Sequence, residues 1–402
     1  MINPKTSQRE LAYVVEIADV QPIEGYDRVE EATISGWHCV VGKGDFKPGD
    51  KAIYFEIDSQ LPADKFADFE FLAKKHFKVK TQKMCKRISQ GLLLTFEQCG
   101  LNAADYKVGD FLTDTIGVTY ADPSDNIRKG KAGSSKPKYN EWFTNKLKKY
   151  VFLRKIVKNK VGQKICGFLF RAKRTDGKFP THFQYIKKTD QERIENMPWV
   201  LNDETPSVYI VTQKCDGSSA TYILEKKKGI FGTKYEFYVC SRNVRLFNVN
   251  DKSYHDTNYY WECAIKYDIE NKLRDYLDNH PDLDYICWQG EICAPGIQKN
   301  PHHLKETHLY LFHMIDSKIG KWDIRSASDI WKAYDMETVP IDFALEILPD
   351  TLEEFKKEAD GFYDPSVCEG QSNCPREGFV YYKTSDPNFS FKNVSREYLL
   401  KR

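Results

Sequence analysis

The sequence predicts an α+β protein in which a small β-rich module precedes a larger domain of strands and helices. Short strand-like runs separated by glycine- and proline-containing turns fill the first hundred residues. Helical periodicity returns over 140–157, and apolar runs of strand length follow it. At 402 residues the chain is long enough for two or three domains, each with its own core.

The amino-terminal module is predicted from runs rich in β-branched and aromatic residues. Turns are expected at Gly42-Lys43-Gly44 and at Pro48-Gly49-Asp50. About five short strands of this kind suit a small closed barrel. The runs with strand character are Leu11 to Ala18, Glu31 to Ser35, Trp37 to Val41 and Lys51 to Phe55.

A basic segment separates this module from the rest of the chain. Residues 122–137 are rich in Gly, Ser, Asp and Lys, and they are expected to form a flexible connector. Between Lys136 and Lys178, fourteen Lys and Arg residues stand against two acids, interleaved with aromatic side chains. A nucleic-acid backbone suits this mixture, because neutralising its phosphates releases counterions. A solvated basic helix or linker is the ordinary alternative.

Charge and cysteine usage favour a cytoplasmic protein. The formal net charge is +2, so any basic surface must be local. Eleven cysteines are scattered without C-x-x-C pairs, which is typical of reduced thiols rather than of disulfides or a zinc site. His302, His303 and His308 are interpreted as polar groups of loops. No apolar run approaches the roughly twenty residues that cross a bilayer, so no membrane association is expected.

Lys214 is the candidate nucleophile of the sequence. The apolar run Ser207 to Val211 is expected to form a strand that delivers Lys214 to a turn. Gly217 lets such a turn close tightly, and Asp216 can bond to its backbone. Burial beside other cations lowers the pKa of a lysine and exposes its lone pair, so we expect a lowered pKa here. By itself, K-x-D-G fits a surface turn equally well.

Further short motifs follow Lys214 in a fixed order. They are Cys240-Ser241-Arg242-Asn243, Trp288-Gln289-Gly290-Glu291-Ile292, Leu309 to Asp316, Glu377-Gly378-Phe379-Val380-Tyr381-Tyr382 and Ser390-Phe391-Lys392. This order resembles the covalent nucleotidyltransferases, the superfamily of ATP-dependent ligases and mRNA capping enzymes. More closely, it resembles ATP-dependent RNA ligases that carry an oligonucleotide-binding (OB) domain in front of the catalytic domain. The resemblance covers most of the chain, including Phe179-Pro180 and residues 188–196.

The residues in these motifs are the types that adenylyl transfer needs. Phe312 offers an aromatic face on which adenine can stack. Arg242 and Lys392 supply positive charge for phosphate oxygens. Glu291 can accept hydrogen bonds from ribose hydroxyls, and Glu377 can hold Mg²⁺ directly or through water. The resemblance assigns these residues the same roles.

Three further expectations complete the predicted site. Gln213 and Asp216, which flank Lys214, are predicted to contact the nucleotide. Glu377 and Glu291 are the predicted ligands of Mg²⁺ or Mn²⁺, and ATP is the predicted cofactor. Taken singly, Phe312 would be a core aromatic and the charged residues would be solvated, so the prediction depends on their joint order.

Departures from the wider superfamily favour the RNA ligase branch. Ser219 stands where DNA ligases and capping enzymes usually carry Arg, and the chain ends at Arg402, which leaves no room for a carboxy-terminal OB domain after Lys392. A third departure points the other way, because Gln213 replaces the Glu that often precedes the lysine in such ligases. Ser390 stands where some relatives place a second lysine, so only Lys392 is carried over.

The resemblance implies an ATP-dependent RNA ligase that acts in RNA repair. Such an enzyme forms lysyl-AMP, adenylylates an RNA 5′-phosphate and seals it to a 3′-hydroxyl. The expected domains are an OB domain over 1–120, a basic linker with helix over 121–170, and an adenylyltransferase domain of antiparallel sheets with flanking helices over 171–402. We expect a monomer that acts on RNA, with a nicked duplex as the substrate. The alternatives are a GTP-dependent guanylyltransferase and a non-catalytic RNA-binding protein.

Overall fold

The computed structural model describes residues 1–3, 6, 8–121, 139, 141–170, 176–202, 207–229, 232–247, 258–345 and 348–401. The predicted connector over 122–137 lies outside these residues. The predicted α+β class is confirmed, because a β-rich amino-terminal unit is followed by large, mostly antiparallel sheets with helices.

The amino-terminal unit is built from short strands in four small sheets. The sheet orders are β1-β5-β9, β2-β3-β4, β6-β10 and β7-β8, and two single-turn helices, α1 (Glu70–Ala73) and α2 (Thr113–Ile116), accompany them. The strands are β1 (Ala12–Glu16), β2 (Asp19–Ile23), β3 (Tyr26–Ile34), β4 (Trp37–Gly42), β5 (Lys51–Phe55), β6 (Ser59–Gln60), β7 (Gln82–Met84), β8 (Arg87–Ser89), β9 (Leu92–Leu94) and β10 (Thr119–Tyr120).

The paired strands β1 and β5 divide this unit into two apolar cores. Successive side chains of a strand point to opposite faces, and here both faces are buried. Ala12 and Val14 of β1 join one core, whereas Tyr13 and Val15 join the other. This explains why β1 and β5 read as continuous apolar runs instead of alternating ones.

Three basic helices follow this unit. They are α3 (Glu141–Lys149), α4 (Val151–Lys158) and α5 (Lys160–Leu169). The sequence predicted helix over 140–157, so α5 was missed and the interruption at Tyr150 was not foreseen. Tyr139, Phe143 and Cys166 form a small core of their own among these helices.

Two sheets form the larger domain. The seven-stranded sheet has the order β11-β16-β15-β14-β17-β18-β19, and the five-stranded sheet has the order β12-β22-β21-β13-β20. Strand β12 runs parallel to β22, and the other strand pairs described are antiparallel. The strands are β11 (Asp176–Lys178), β12 (Glu192–Arg193), β13 (Tyr209–Gln213), β14 (Ser218–Gly229), β15 (Gly232–Ser241), β16 (Val244–Leu246), β17 (Tyr285–Cys293), β18 (His308–Asp316), β19 (Gly320–Lys321), β20 (Ile341–Leu345), β21 (Gly378–Lys383) and β22 (Ser390–Val394).

The helices of this domain cover its main core. They are α6 (Tyr259–Lys266), α7 (Ile269–Asn279), α8 (Ile324–Ala333), α9 (Leu352–Glu358) and α10 (Arg396–Lys401). The core joins both sheets, since Ile210 and Val380 of the smaller sheet pack in one cluster with Trp288 of the larger. No described helix is both long enough and apolar enough to span a membrane.

The amino-terminal unit is attached to the larger domain by polar contacts. Arg396 of α10 forms an ion pair with Glu31 of β3. The backbone N–H of Ile2 donates to the carbonyl of Asn196 at 2.8 Å. These contacts bring the barrel beside strand β22, which carries a predicted site residue.

A buried ion pair supports the five-stranded sheet and generates a stability prediction. Lys356 of α9 donates to Glu195 at 2.7 Å and to the carbonyl of Val394 at 2.8 Å, and the Glu195 side chain has no exposed surface. We expect Lys356→Met to lower the free energy of unfolding by about 3–5 kcal/mol, because it leaves Glu195 buried without its cation. Chemical or thermal unfolding followed by circular dichroism measures this loss.

Lys357 provides the matched control. It is the next residue of the same helix, but its side chain is 70% exposed and pairs with Glu353 at the surface. Lys357→Met should leave the unfolding midpoint nearly unchanged, because exposed ion pairs contribute little. Equal effects of the two substitutions would contradict the structural role of the Glu195–Lys356 pair.

Candidate active site

Lys214 lies at the point where the chain passes from one sheet to the other. It directly follows β13 in the middle of the five-stranded sheet, and β14 of the seven-stranded sheet begins four residues later, at Ser218. Its backbone N–H donates to the carbonyl of Gly378 at 2.9 Å, which continues the pairing of β13 with β21. The predicted strand before Lys214 therefore places this lysine between the two sheets.

The turn after Lys214 is held by side chains from distant segments. Tyr363 donates to the carbonyl of Lys214 at 2.8 Å, and the Asp216 N–H donates to Nε2 of His302 at 3.2 Å. Tyr398 donates to the carboxylate of Asp216 at 2.6 Å. Asp216 thus receives a hydrogen bond from a tyrosine far along the chain, in addition to the local role that the sequence indicated.

His302 lies in a loop, as the sequence indicated, but its burial and its contact with Asp216 were not foreseen. It is 1% exposed, and burial lowers its pKa to about 4, so it is neutral and can accept the backbone hydrogen bond from Asp216. Tyr363 and Tyr398 were missed as well. Nothing in the local sequence marks these residues, because their role depends on contacts across 86 to 182 positions of the chain.

The side chain of Lys214 faces two carboxylates. Its Nζ donates to Glu377 at 2.8 Å, and Glu291 accepts a hydrogen bond from the Gly217 N–H at 3.1 Å within the same turn. Burial raises the pKa of Glu291 to about 8, although the nearby Lys214 opposes this shift. The charges of Lys214 and Glu377 both act on Glu291, because the three side chains lie close together.

The expected lowering of the Lys214 pKa is wrong for the free protein. Burial by itself lowers the pKa, but the charges of Glu377, Glu291 and Asp216 outweigh it and hold the pKa well above its ordinary value. The sequence-based expectation assumed neighbouring cations, whereas the immediate neighbours are carboxylates. The amine is therefore an ammonium group before a nucleotide is bound.

The predicted phosphate-binding cations, Arg242 after β15 and Lys392 of β22, line the same cavity as the turn. The carboxylate of Asp190 links Arg242 and Lys392, because it forms an ion pair with Arg242 and lies 4.0 Å from Nζ of Lys392. Burial lowers the pKa of Lys392 to about 8. Both cations are thus held in place by one carboxylate, which sequence analysis placed in a motif but gave no role.

Phe312 of β18 and Val380 of β21 come from different sheets and line the same cavity. Phe312 is partly buried and lies edge-on to His313, with ring centroids 4.8 Å apart. Because the cavity leaves part of the Phe312 ring uncovered by protein, a planar group can pack there. The predicted adenine-stacking position is consequently available.

Gln213 is bonded at both ends of its amide. Its nitrogen donates to Asp342 at 2.9 Å, and its oxygen accepts from the Asp364 N–H at 2.8 Å. The side chain lines the cavity while tying β13 to β20 and to the segment before β21. These hydrogen bonds position Gln213 for its predicted nucleotide contact and also restrict its movement.

All eight predicted site residues line one cavity of about 340 Å³. This volume is within the range of small-molecule sites. The eight residues are Gln213, Lys214, Asp216, Arg242, Glu291, Phe312, Glu377 and Lys392.

The carboxylates fit a divalent cation that is only partly bound by protein. Within the described part of the chain, no group of three or more His, Cys, Asp or Glu side chains forms a ready metal cage. Glu291 and Glu377 both face Lys214, and Mg²⁺ is often held by one or two carboxylates together with substrate phosphates and water. The donor set therefore fits a metal that binds with the nucleotide.

A lysine at the junction of two sheets, with carboxylates and paired cations lining one cavity, is the arrangement that a nucleotidyltransferase site needs. Comparison with known families agrees. Residues 11–96 match a family model described as an OB-fold domain, and residues 207–395 match the RNA ligase family model. A search of curated proteins by sequence finds no match.

Solved structures of a Naegleria gruberi RNA ligase resemble the whole chain. The form with PPi has 26% identity and a TM-score of 0.62, and the alignment covers 98% of this chain and 99% of that one. A mutant with AMP and Mn has 27% identity, a TM-score of 0.63 and the same coverage. A mutant with ATP and Mn has 27% identity, a TM-score of 0.62 and again the same coverage.

The chain carries an OB-fold domain in front of an RNA ligase domain, and it is an ATP-dependent RNA ligase. The expected fold class, with an OB barrel in front of a ligase domain, is thereby confirmed.

Gly217 generates a prediction about the turn. A Cβ at this position would lie 2.3 Å from the carbonyl oxygen of Ile292, a backbone atom that cannot move aside. Gly217→Ala should displace Lys214 and lower the rate of enzyme–AMP formation about a hundredfold, because small misplacements are costly in catalysis. Labelling with ATP that is radioactive at the α-phosphate measures the rate.

Gly44→Ala is the control for this substitution. Gly44 has a φ of +81°, and no atom lies within 4 Å of the position that a Cβ would take, so an alanine there strains a turn of the barrel but touches nothing. Its labelling rate should match that of the parent. A normal rate in Gly217→Ala would show that the turn tolerates displacement.

Proposed function

We propose that Lys214 is the adenylyl carrier of this RNA ligase, and that the enzyme joins an RNA 5′-phosphate to an RNA 3′-hydroxyl. In the first step Nζ of Lys214 loses a proton and attacks the α-phosphorus of ATP. A P–N bond forms, the bond to the bridging oxygen of the β-phosphate breaks, and pyrophosphate leaves. The observation that carries the proposal is the meeting of Lys214, Phe312, Glu291, Glu377 and Lys392 at one cavity.

The second and third steps reuse the same site. An oxygen of the RNA 5′-phosphate attacks the adenylyl phosphorus, the P–N bond breaks, and Lys214 regains its proton. The 3′-hydroxyl oxygen of the neighbouring strand then attacks the activated 5′-phosphorus, loses its proton, and AMP leaves. Because the first two steps occur at the same phosphorus, one set of cations can stabilise both transition states.

The proton on Lys214 must be removed before the first step. In the free protein Glu377 accepts its hydrogen bond at 2.8 Å and stabilises the ammonium form. A divalent cation bound by Glu291 and Glu377 would neutralise these carboxylates and part of the phosphate charge, and so lower the pKa of the amine. The Naegleria structures with ATP and Mn or with AMP and Mn support Mg²⁺ or Mn²⁺ in this role.

Arg242 and Lys392 are proposed to hold the phosphate oxygens. Arg242 can bind two oxygens in parallel through its guanidinium fork. Lys392 has a pKa of about 8 in the free protein, so an anionic phosphate beside it would raise that pKa and keep the amine charged. The ion pairs of both residues with Asp190 hold them before the substrate binds.

Adenine is proposed to lie between Phe312 and Val380. A ring stacked on Phe312 gains affinity without a fixed hydrogen-bond register. Glu291 is then available for the ribose hydroxyls or the metal. Gln213 and Asp216 line the same cavity, and they are proposed to contact the nucleotide as well.

RNA is the polymer partner, and a nicked duplex is the proposed form. The OB-fold barrel lies against the domain that contains Lys214, and barrels of this kind bind nucleic acid along one face. Helices α3 to α5 add exposed lysines and aromatic rings such as Phe152. We further propose that the protein acts as a monomer in the cytoplasm, where its eleven unpaired thiols would stay reduced.

Lys214→Ala tests the covalent step. Incubation with ATP labelled at the α-phosphate should give an acid-labile, alkali-stable adduct in the parent and none in the variant. The fold should be retained, because Glu377 lines the cavity and keeps some exposed surface, so water can solvate its carboxylate once the amine is gone. Lys227→Ala is the matched control, since Lys227 pairs with Glu236 at the surface and lies away from the cavity. An adduct in Lys214→Ala would remove Lys214 from its role.

A substrate panel tests the proposed ends and the nicked duplex. The parent should seal a nicked RNA duplex with a 5′-phosphate and a 3′-hydroxyl at least about tenfold faster than the same strands unpaired, because the template holds the ends together. A nick with a 5′-hydroxyl should stay open. Gel analysis of joined products measures both results, and faster sealing of single strands would overturn the nicked-duplex proposal.

A further inference from the structure

A second cavity, here termed the flanking cavity, adjoins the active site. Its volume is about 460 Å³, and it shares Thr189, Asp190 and Gln191 with the active-site cavity. None of the eight predicted site residues lines it. The two cavities lie on either side of the segment 189–191, so a ligand in the flanking cavity can be continuous with one at Lys214.

Positive charge predominates in the flanking cavity. Lys187, Lys188 and Lys321 line it, and the carboxylate of Asp190 at its edge is already engaged by Arg242 and near Lys392. Within the described residues, Lys187 and Lys188 form no ion pair. The cavity is therefore suited to an anionic ligand.

Lys321 is the most buried of these cations. Its Nζ lies 4.8 Å from the centre of the Tyr382 ring, and burial lowers its pKa to about 8. Tyr382 also lines the active-site cavity, so this lysine stands directly behind a wall of the nucleotide site. A phosphate in the flanking cavity would favour the charged form of Lys321.

His313 lines the flanking cavity and carries a buried hydrogen-bond acceptor without a partner in the described residues. The amide nitrogen of Gln289 donates to the carbonyl of Lys187 at 2.9 Å and to the hydroxyl of Thr221 at 3.2 Å, which directs the amide oxygen toward Nδ1 of His313 at 3.0 Å. Nδ1 must then carry the proton, and Nε2 is left as an acceptor. The His313 side chain is buried, and Nε2 has no hydrogen-bond partner among the residues that the structure describes.

We propose that the flanking cavity binds a ribose–phosphate unit of the RNA strand, with its lysines on the phosphate and Nε2 of His313 accepting a hydrogen bond from the 2′-hydroxyl. A buried acceptor without a protein partner can take a hydrogen bond from a ligand donor, and the cations beside it suit an anion. A ribonucleotide of a polymer carries both groups, whereas a deoxyribonucleotide lacks the 2′-hydroxyl.

The proposal rests on the proposed function and adds a residue that distinguishes RNA from DNA. ATP also contains ribose and phosphate, but the active-site cavity already provides Phe312, Glu291 and the Arg242–Lys392 pair for it. The flanking cavity is thus assigned to the polymer. Experiments can separate the two sources, because enzyme–AMP formation needs ATP alone and sealing of a pre-adenylylated nick needs RNA alone.

The test measures single-turnover sealing of a pre-adenylylated RNA nick and of matched nicks with one 2′-deoxynucleotide at each position beside the break. In the parent, one deoxy position should slow sealing by about tenfold, as the loss of one hydrogen bond to a buried acceptor predicts. In His313→Leu the all-RNA nick should be sealed about tenfold more slowly, and that deoxy position should cost nothing more. His313→Gln, which retains an acceptor, should keep part of the discrimination.

A second arm uses the lysines. Lys188→Met and Lys321→Met should weaken binding of the RNA nick and reduce the salt dependence of sealing, since each removes one phosphate contact. Lys332→Met is the control, because Lys332 is 70% exposed on α8 and lines neither cavity. In all of these variants the rate of labelling with ATP in the absence of RNA should remain that of the parent.

Two results would overturn the proposal. A deoxy penalty that persists unchanged in His313→Leu would show that His313 reads no hydroxyl. A loss of ATP labelling in the flanking-cavity variants that equals their loss of sealing, with a melting temperature like that of the parent, would assign this cavity to the nucleotide. Absence of labelling in the parent would instead refute the adenylyl-carrier role of Lys214, so the two failures are distinguishable.

Discussion

The contact between Lys214 and Glu377 is the interaction on which the rest of the site depends. It joins the turn after β13 to the residue before β21, at 2.8 Å, in a place where both side chains are mostly buried. The hydrogen bond between these two charged groups fixes the position of each side chain. The same pair keeps the amine protonated in the free protein, so nucleophilicity depends on what binds there.

The position of this pair follows from the two sheets. The chain crosses between them at residues 214–218, and the loop is held by His302, Tyr363 and Tyr398. Those residues come from segments far apart in sequence, which makes the loop a meeting point of the whole domain. Rigid support of this kind places the amine accurately and reduces the reorganisation that catalysis would otherwise require.

Charge is distributed unevenly in a protein that is nearly neutral. Excess lysine is concentrated in the basic helices and the flanking cavity, while Arg242 and Lys392 are paired with Asp190. Cations that are already paired remain ordered without a ligand, and clustered lysines favour an anionic partner. Positive groups therefore extend from Lys214 to the flanking cavity.

The sequence by itself determined the α+β class, the run that became β5, and the eight residues that line the active-site cavity. These follow from local propensity and motif order, which are properties of neighbouring residues. Only the tertiary structure decided the protonation of Lys214, the buried role of His302 and the tautomer of His313. The physical reason is that pKa values and hydrogen bonds depend on distances between groups that are separated by tens to hundreds of positions, and the sequence does not contain those distances.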